Sequence, residues 1–184
     1  MQGKDSYACP VTAINHLYAY ISLMATIGIA DTTFSRVDMA SAALAVLKKE
    51  MPTAKILRYT VPGVKDLPVA CLKLFDQGCD IVMAFGWVGK MSVDKVCGHE
   101  ASTAIQQVQL SAHKHILEVF VHEDEDKSEN VVKQIALNRA SEHALNVIAL
   151  LKGQNTLTPK AASGQRQGRR DVGVAAPWAS RGTP

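Results

Sequence analysis

The sequence predicts an α/β fold, a three-layer sandwich in which helices cover both faces of a four-stranded parallel sheet. Two observations predict it. Short apolar runs alternate four times with longer stretches of helical period, and the strongest run, Asp80-Ile-Val-Met-Ala-Phe85, lacks the alternation of a half-exposed strand. The junctions carry helix signals at Asp38, Pro52, Asp66 and Gly78. Strand-helix units in succession pair in parallel through right-handed crossovers. At 184 residues, 47% hydrophobic and 20% charged, the chain holds enough apolar material for one core and one domain.

Residues 1–23 read as an N-terminal extension with no function assigned, residues 24–152 as the α/β domain and residues 153–184 as a tail. The apolar run His16 to Met24 is too short to span a membrane. Lys4-Asp5 is also a poor start for a signal peptide. Ile27 to Ala30 is the first strand, and Asp31 to Arg36 a polar loop. Asp38 caps a helix whose apolar positions Leu44, Leu47 and Met51 lead to the breaker Pro52. Lys55 to Val61 is the second strand. Pro62 and Gly63 then shape a turn, the glycine supplying a conformation closed to other residues. Asp66 stands as the cap and Pro68 in the first turn of a helix to Gln77. After the strand Asp80 to Phe85 comes a loop from Gly86, then a helix Val93 to Ala112. On that helix Cys97, Ala101, Ala104, Ile105 and Val108 form the core stripe, and Val96, Glu100 and Thr103 flank it. His115 to Val121 is the fourth strand. The last helix runs to about Leu151, with Asp126 and Glu129 at capping-box spacing.

The formal charge of +3 is carried by the tail: from Lys152 onward there are six basic residues and one acid, leaving 14 basic and 16 acidic residues before it. No basic face with interleaved aromatics appears in the body, which argues against a nucleic-acid partner. Cys9, Cys71, Cys79 and Cys97 have no metal-ligand spacing and fit reduced thiols of a cytoplasmic protein.

In a parallel sheet every strand-to-helix loop lies at the carboxyl edge, where ligands bind. That edge gathers Phe34, Arg36, Lys65, Lys90, Asp94, His122, Glu123 and Asp124. The Pro62-Gly63 junction aims backbone N–H groups and a helix dipole at one spot, which suits an anionic or polar ligand group; an ordinary connecting loop has the same composition. The acidic run Glu123 to Asp126 suits a divalent cation such as Mg2+, or a solvated helix N-terminus. Arg139 and His143, one helical turn apart, suit catalysis, a helix flank or a subunit contact. His99-Glu100 lacks the second histidine of a zinc-protease helix, since position 103 is Thr. Neither a dinucleotide nor a triphosphate glycine loop is present.

Taken together, Ile29-Ala-Asp-Thr-Thr-Phe-Ser-Arg-Val-Asp-Met-Ala40, Thr60-Val-Pro-Gly-Val-Lys-Asp-Leu-Pro-Val-Ala-Cys71, Asp94-Lys-Val-Cys-Gly-His-Glu-Ala-Ser102 and Leu117-Glu-Val-Phe-Val-His-Glu-Asp-Glu125 resemble the archaeal-type riboflavin synthase family. Arg139 to Asn146 and Leu157 to Gly168 are similar too. The resemblance spans roughly Met24 to Gly173. It implies a flavodoxin-like, lumazine-synthase-like fold and a homopentamer with sites at subunit interfaces. It also implies the last step of riboflavin biosynthesis, in which two 6,7-dimethyl-8-ribityllumazine molecules per site yield riboflavin and 5-amino-6-(D-ribitylamino)uracil without an organic cofactor.

On that resemblance, substrate binding falls to Asp31, Thr32, Thr33, Phe34, Pro62, Gly63, Val64, Lys65, Asp66, Gly86, Lys90, Asp94 and Asp124. Phe34 stacks on a ring, the backbone at Gly63 meets the pyrimidine edge, and Asp94 and Asp124 take ribityl hydroxyls. The proton lost in the reaction is on the C7 methyl group, and the resulting anion calls for a nearby cation, supplied by Lys65, Lys90 or Lys95. Proton transfer falls first to His122, because an imidazole changes charge near working pH, and then to Glu123. Two readings compete. A lumazine synthase resembles Gly-x-Thr-x-His in its third loop, which here is Gly89-Lys-Met-Ser92; a non-catalytic lumazine or flavin carrier needs no titratable groups. One departure from the family pattern is Gly86-Trp-Val-Gly89 in place of Gly-Met-Pro-Gly, which predicts a looser third loop.

Overall fold

The computed structural model describes residues 25–175, so the N-terminal extension and the end of the tail lie outside it. Four strands form one parallel sheet in the order β2-β1-β3-β4: β1 (Thr26–Thr32), β2 (Lys55–Val61), β3 (Ile81–Val88) and β4 (Ile116–His122). Each is followed by a helix: α1 (Met39–Glu50), α2 (Leu67–Asp76), α3 (Ser92–Ala112) and α4 (Glu129–Lys152). Alternate side chains point to opposite faces of a strand, so each strand feeds two cores. Ile27, Ile29, Met83, Phe85, Val119 and Val121 pack under α1 and α4. Ala30, Val82, Ala84, Val88 and Phe120 pack under α2 and α3. The three-layer α/β expectation holds.

Local chemistry explains most boundaries. Asp38 caps α1, accepting from Ser41 N at 3.0 Å, and Gly78 follows α2 at φ +91°. Gly98, Ala101 and Ile105 are the buried line of α3, with Val96, Glu100 and Thr103 exposed beside it. Glycine at 98 lets α3 approach the sheet, since an added Cβ would lie 3.1 Å from the Val88 side chain.

Several local expectations fail. Gly63 is extended (φ −149°, ψ 175°), a conformation any residue adopts, so no special backbone is needed there. Asp66 precedes α2 without making a side-chain cap, because the chain enters the helix through a 3-10 turn, Val64–Asp66. The α4 capping box does not form either. Asp126 Oδ1 accepts from Ser128 N at 2.9 Å while Glu129 is drawn 3.2 Å from Arg36 Nη2. The helix begins at Glu129 with Ser128 as a cap whose side chain makes no capping hydrogen bond.

The largest correction concerns the third loop. Gly86, Trp87 and Val88 continue β3 and pair with Phe120, Val121 and His122 of β4, so that loop is neither early nor loosened. Gly86 faces the Phe120 ring, which an added Cβ would meet at 2.4 Å, so the absence of a side chain there is a packing requirement. Likewise Asp31 and Thr32 complete β1 and are buried, whereas they were expected in a loop.

Candidate active site at the carboxyl edge

Because the strands are parallel, Thr32, Val61, Val88 and His122 end on one edge, with the four loops beyond them. The strand order reverses between β1 and β3. Their pairing runs from Ile27 with Ile81 to Ala30 with Ala84, after which β1 stays with β2 and β3 with β4. The strands part there, which is the crevice where open α/β sheets receive ligands. Thr32 Oγ1 is buried beside it without a hydrogen-bond partner among the described residues. A buried hydroxyl is ordinarily satisfied, so Thr32 is suited to a polar atom of a ligand.

On the α2/α3 side, strand alternation gives His122 the face of Glu118 and Phe120. Both the Glu118 and the Asp124 carboxyls lie within its electrostatic reach. Asp124 is ion-paired to Lys95 of α3, whose ammonium hydrogen bond holds the carboxyl below its usual range. Lys65 reaches Glu100 of α3 in a second exposed pair. Deeper on this face, burial raises the Glu118 carboxyl above its ordinary value although Ser102 Oγ donates to it at 2.7 Å.

On the α1/α4 side lies a cleft of about 480 Å³, bordered by Arg36, Trp87, Lys90, Glu123, Asp124 and Lys133. Its size is that of a small-molecule pocket. The Trp87 indole N–H donates to Glu123 Oε1 at 2.8 Å and Arg36 Nη1 lies 3.3 Å from the same oxygen. The indole hydrogen bond, followed by Arg36, keeps the Glu123 carboxyl below its ordinary value, which makes it a weaker base. His122 and Glu123, neighbours in sequence, thus belong to opposite faces. The structure brings His122 and Lys95 together through Asp124 and sets Glu123 apart with Arg36 and Trp87.

Other candidate residues divide by what already holds them. Asp31 accepts from Thr60 Oγ1 at 2.7 Å and from Arg58, so its carboxylate ties β1 to β2. Asp94 accepts from Met91 N at 3.1 Å, and an added Cβ at Gly89 would meet its carboxylate. This bond closes the start of α3. By contrast Phe34 is 57% exposed, Pro62 is exposed, and a Cβ added at Gly63 would meet only open space. Thr33 fastens these two loops together, its N donating to Val61 O at 2.9 Å and its Oγ1 to Pro62 O at 3.2 Å. Val64 is half-buried on the turn, while Lys65 and Asp66 are exposed. Lys90 has no ion-pair partner among the described residues and borders the cleft.

The acidic run splits four ways: Glu123 to Trp87, Asp124 to Lys95, Glu125 to Arg139 and Asp126 to Ser128 N. Among the described residues no group of three or more His, Cys, Asp or Glu side chains gathers to hold a metal ion. Burial pushes the Cys71 thiol up to about 12 and the Cys79 thiol up to about 11, so neither is a nucleophile near neutral pH.

Residues 24–155 match the family model described as 6,7-dimethyl-8-ribityllumazine synthase. The chain belongs to this family. Within the family's range of relatives it is 53% identical over 151 residues to the riboflavin synthase of Methanothermobacter thermautotrophicus, covering 82% of this chain and 99% of that protein. The riboflavin synthase of Archaeoglobus fulgidus is 45% identical over 148 residues, and that of Aeropyrum pernix 43% over 148 residues, each covering 80% of this chain and 96% of the relative. The family membership accords with the parallel sheet, its helices and the loops at its carboxyl edge.

Sequence reasoning missed Trp87 and Glu125. Trp87 was hidden by the early placement of the third loop. Glu125 sat within an acidic run whose members look alike until their partners are seen. The signal for Arg139 was visible, a lone arginine beside the apolar line Ile135, Ala136 and Ala140, yet its partner lay outside the helix.

Proposed function

We propose that the chain is a riboflavin synthase, joining two 6,7-dimethyl-8-ribityllumazine molecules and returning riboflavin and 5-amino-6-(D-ribitylamino)uracil. What supports this above all is the 53% identity over 99% of the length of a riboflavin synthase. A four-carbon unit moves between two copies of one molecule, so donor and acceptor supply all the atoms and no organic cofactor enters the balance. Holding two flat heterocycles face to face contributes on the order of 7 kcal/mol or more in favourable cases, which lowers the demand for a strong base.

On this reading the exposed ring of Phe34 stacks on one substrate, the open backbone at Gly63 meets a pyrimidine edge, and the Thr32 hydroxyl gains the partner it lacks. His122 passes the C7 methyl proton, and Lys95 and Lys90 offset the developing negative charge. The chain acts in the cytoplasm as a homopentamer whose sites are shared between neighbours. In support of a shared site, α2 and α3 both expose apolar side chains, Val69, Leu72, Val93 and Val96, beside the rim.

The test is incubation with 6,7-dimethyl-8-ribityllumazine alone. Riboflavin absorbance and fluorescence are expected to rise with an equal amount of the aminouracil. Turnover only with the aminouracil and a four-carbon phosphate would make the chain a lumazine synthase; binding without turnover would make it a carrier. Adding EDTA to the same assay reads any Mg2+ requirement. Light scattering on the active sample checks the assembly, and a fully active monomer would overturn the shared site.

A further inference from the structure

The tail beyond α4 does not trail away from the domain. Residues 164–173 close into a loop, with Val172 N donating to Gly164 O at 3.1 Å and Arg166 N to Asp171 Oδ1 at 2.9 Å. The loop is seated on α4: Gly168 N donates to Asn138 Oδ1 at 2.9 Å, and Arg139 Nε lies 3.4 Å from Gln167 O. Gly168 is buried at φ +81°, and a Cβ there would lie 2.9 Å from Arg139 Nε. The fit therefore requires glycine.

Arg139, with its side chain 15% exposed, carries the contact onward. Its Nη1 and Nη2 each donate to a Glu125 carboxylate oxygen at 2.6 Å, and Nη1 also donates to Phe120 O at 2.6 Å. Glu125 Oε1 in turn accepts from His122 N at 3.1 Å, while Glu125 N donates to His122 O at 3.1 Å. Arg169, from the tail loop, donates to Glu125 O at 2.7 Å and lies 3.6 Å from its carboxylate. Burial pushes the Glu125 carboxyl up, but the Arg139 hydrogen bonds, the His122 amide and Arg169 together hold it below its ordinary value. The turn His122 to Glu125, where consecutive side chains go to opposite faces of the sheet, is thus clamped from α4 and from the tail.

We infer that residues 164–173 are a working part of the site, and that Arg139, Glu125 and Arg169 are positioning residues that hold the turn bearing His122, Glu123 and Asp124. This rests on the reading that the rim carries the reaction. None of the three needs to touch substrate. They act by fixing a bidentate, desolvated carboxylate behind the turn, where a displacement of about 1 Å costs on the order of a hundredfold in rate.

Arg169 is the lever of choice, because it is partly exposed and its loss spares the Arg139–Glu125 pair. The experiment compares the full-length chain with Arg169→Met, Arg169→Lys and Gly168→Ala by steady-state kinetics and by hydrogen exchange of the His122 to Asp126 amides. Arg169→Met is expected to lower kcat about tenfold, the loss of one hydrogen bond to a charged group, with KM within about twofold. Exchange across His122 to Asp126 rises, exchange in β3 stays as in the parent, and Arg169→Lys restores part of both. Gly168→Ala shows the same pattern. Unchanged kcat and unchanged exchange in both Arg169→Met and Gly168→Ala would overturn the inference, whatever happens to melting temperature. If the parent makes no riboflavin, the functional reading falls instead, and the exchange comparison alone still decides whether the tail holds the turn.

Discussion

After β2 the chain leaves the sheet through Pro62 and an extended Gly63 that faces open space, and after β1 it exposes the ring of Phe34; Thr33 links the two loops to each other. After β4 the chain turns through Glu123, Asp124 and Glu125, and each carboxylate is tied to a different element, by Trp87, Lys95 and Arg139. The two halves of one rim therefore differ in where their polar and apolar groups are spent. The first half leaves a ring and a stretch of backbone available to a ligand or a neighbouring chain. The second spends its charges internally and fixes directions. That division suits a reaction whose substrates are held by contact area on one side and reoriented by fixed groups on the other.

The sharpest way to break this comparison is at the two residues that part at the end of β4. If His122 moves the proton, His122→Gln lowers kcat by about a hundredfold or more with little change in KM. Glu123, already weakened as a base by the Trp87 indole and Arg36, is expected to lose less than about tenfold on Glu123→Gln. Steady-state kinetics of both variants check this; equal losses would mean that the opposed faces do not divide the chemistry.

A second contrast is in stability. Arg139→Met strands the Glu125 carboxylate and lowers the unfolding free energy by about 3 kcal/mol. Phe34→Ala, on the available half, stays within about 0.5 kcal/mol while raising KM up to about tenfold through lost ring contact. Urea unfolding of the two variants beside the parent measures the gap. A destabilising Phe34→Ala would show that this half, too, is built for the fold.

The smallest expected effect sharpens the picture behind the clamp. His143 lies one turn beyond Arg139 on α4, its Nδ1 buried without a partner among the described residues, and burial followed by the Arg139 charge lowers its pKa from 6.5 to about 4. The unfolded chain then binds the proton first, so the contribution is fully present above pH 6.5 and is lost as pH falls towards 4. At pH 4.5 His143→Leu is expected to recover about 2 kcal/mol of the parent's acid loss measured from pH 7.5. Identical acid profiles for the two chains would refute a buried neutral imidazole.

Much of this is legible in the sequence. Periodicity placed β2 on its observed residues and the other elements within a few, because burial on one face or two imposes its spacing directly on the chain. Parallel order followed from alternating strands and helices, and with it the common edge of the loops. The resemblance blocks located the family. Legibility ended where a residue's meaning depends on a partner distant in sequence. Gly86 reads as a loop glycine until the Phe120 ring is found over it.

By itself, then, the sequence determined the layers, the parallel sheet, the rim and the family, since these depend on local period, caps and long matching blocks. Only the tertiary structure decided that His122 and Glu123 face apart, that Asp31 bonds Thr60 and Asp94 bonds the Met91 amide, and that the tail reaches the β4 turn through Arg139. The physical reason is that charge and hydrogen-bond pairing act over a few ångströms in space, whatever the separation along the chain. Arg169 and Glu125 stand 44 residues apart in sequence and 2.7 Å apart in the fold.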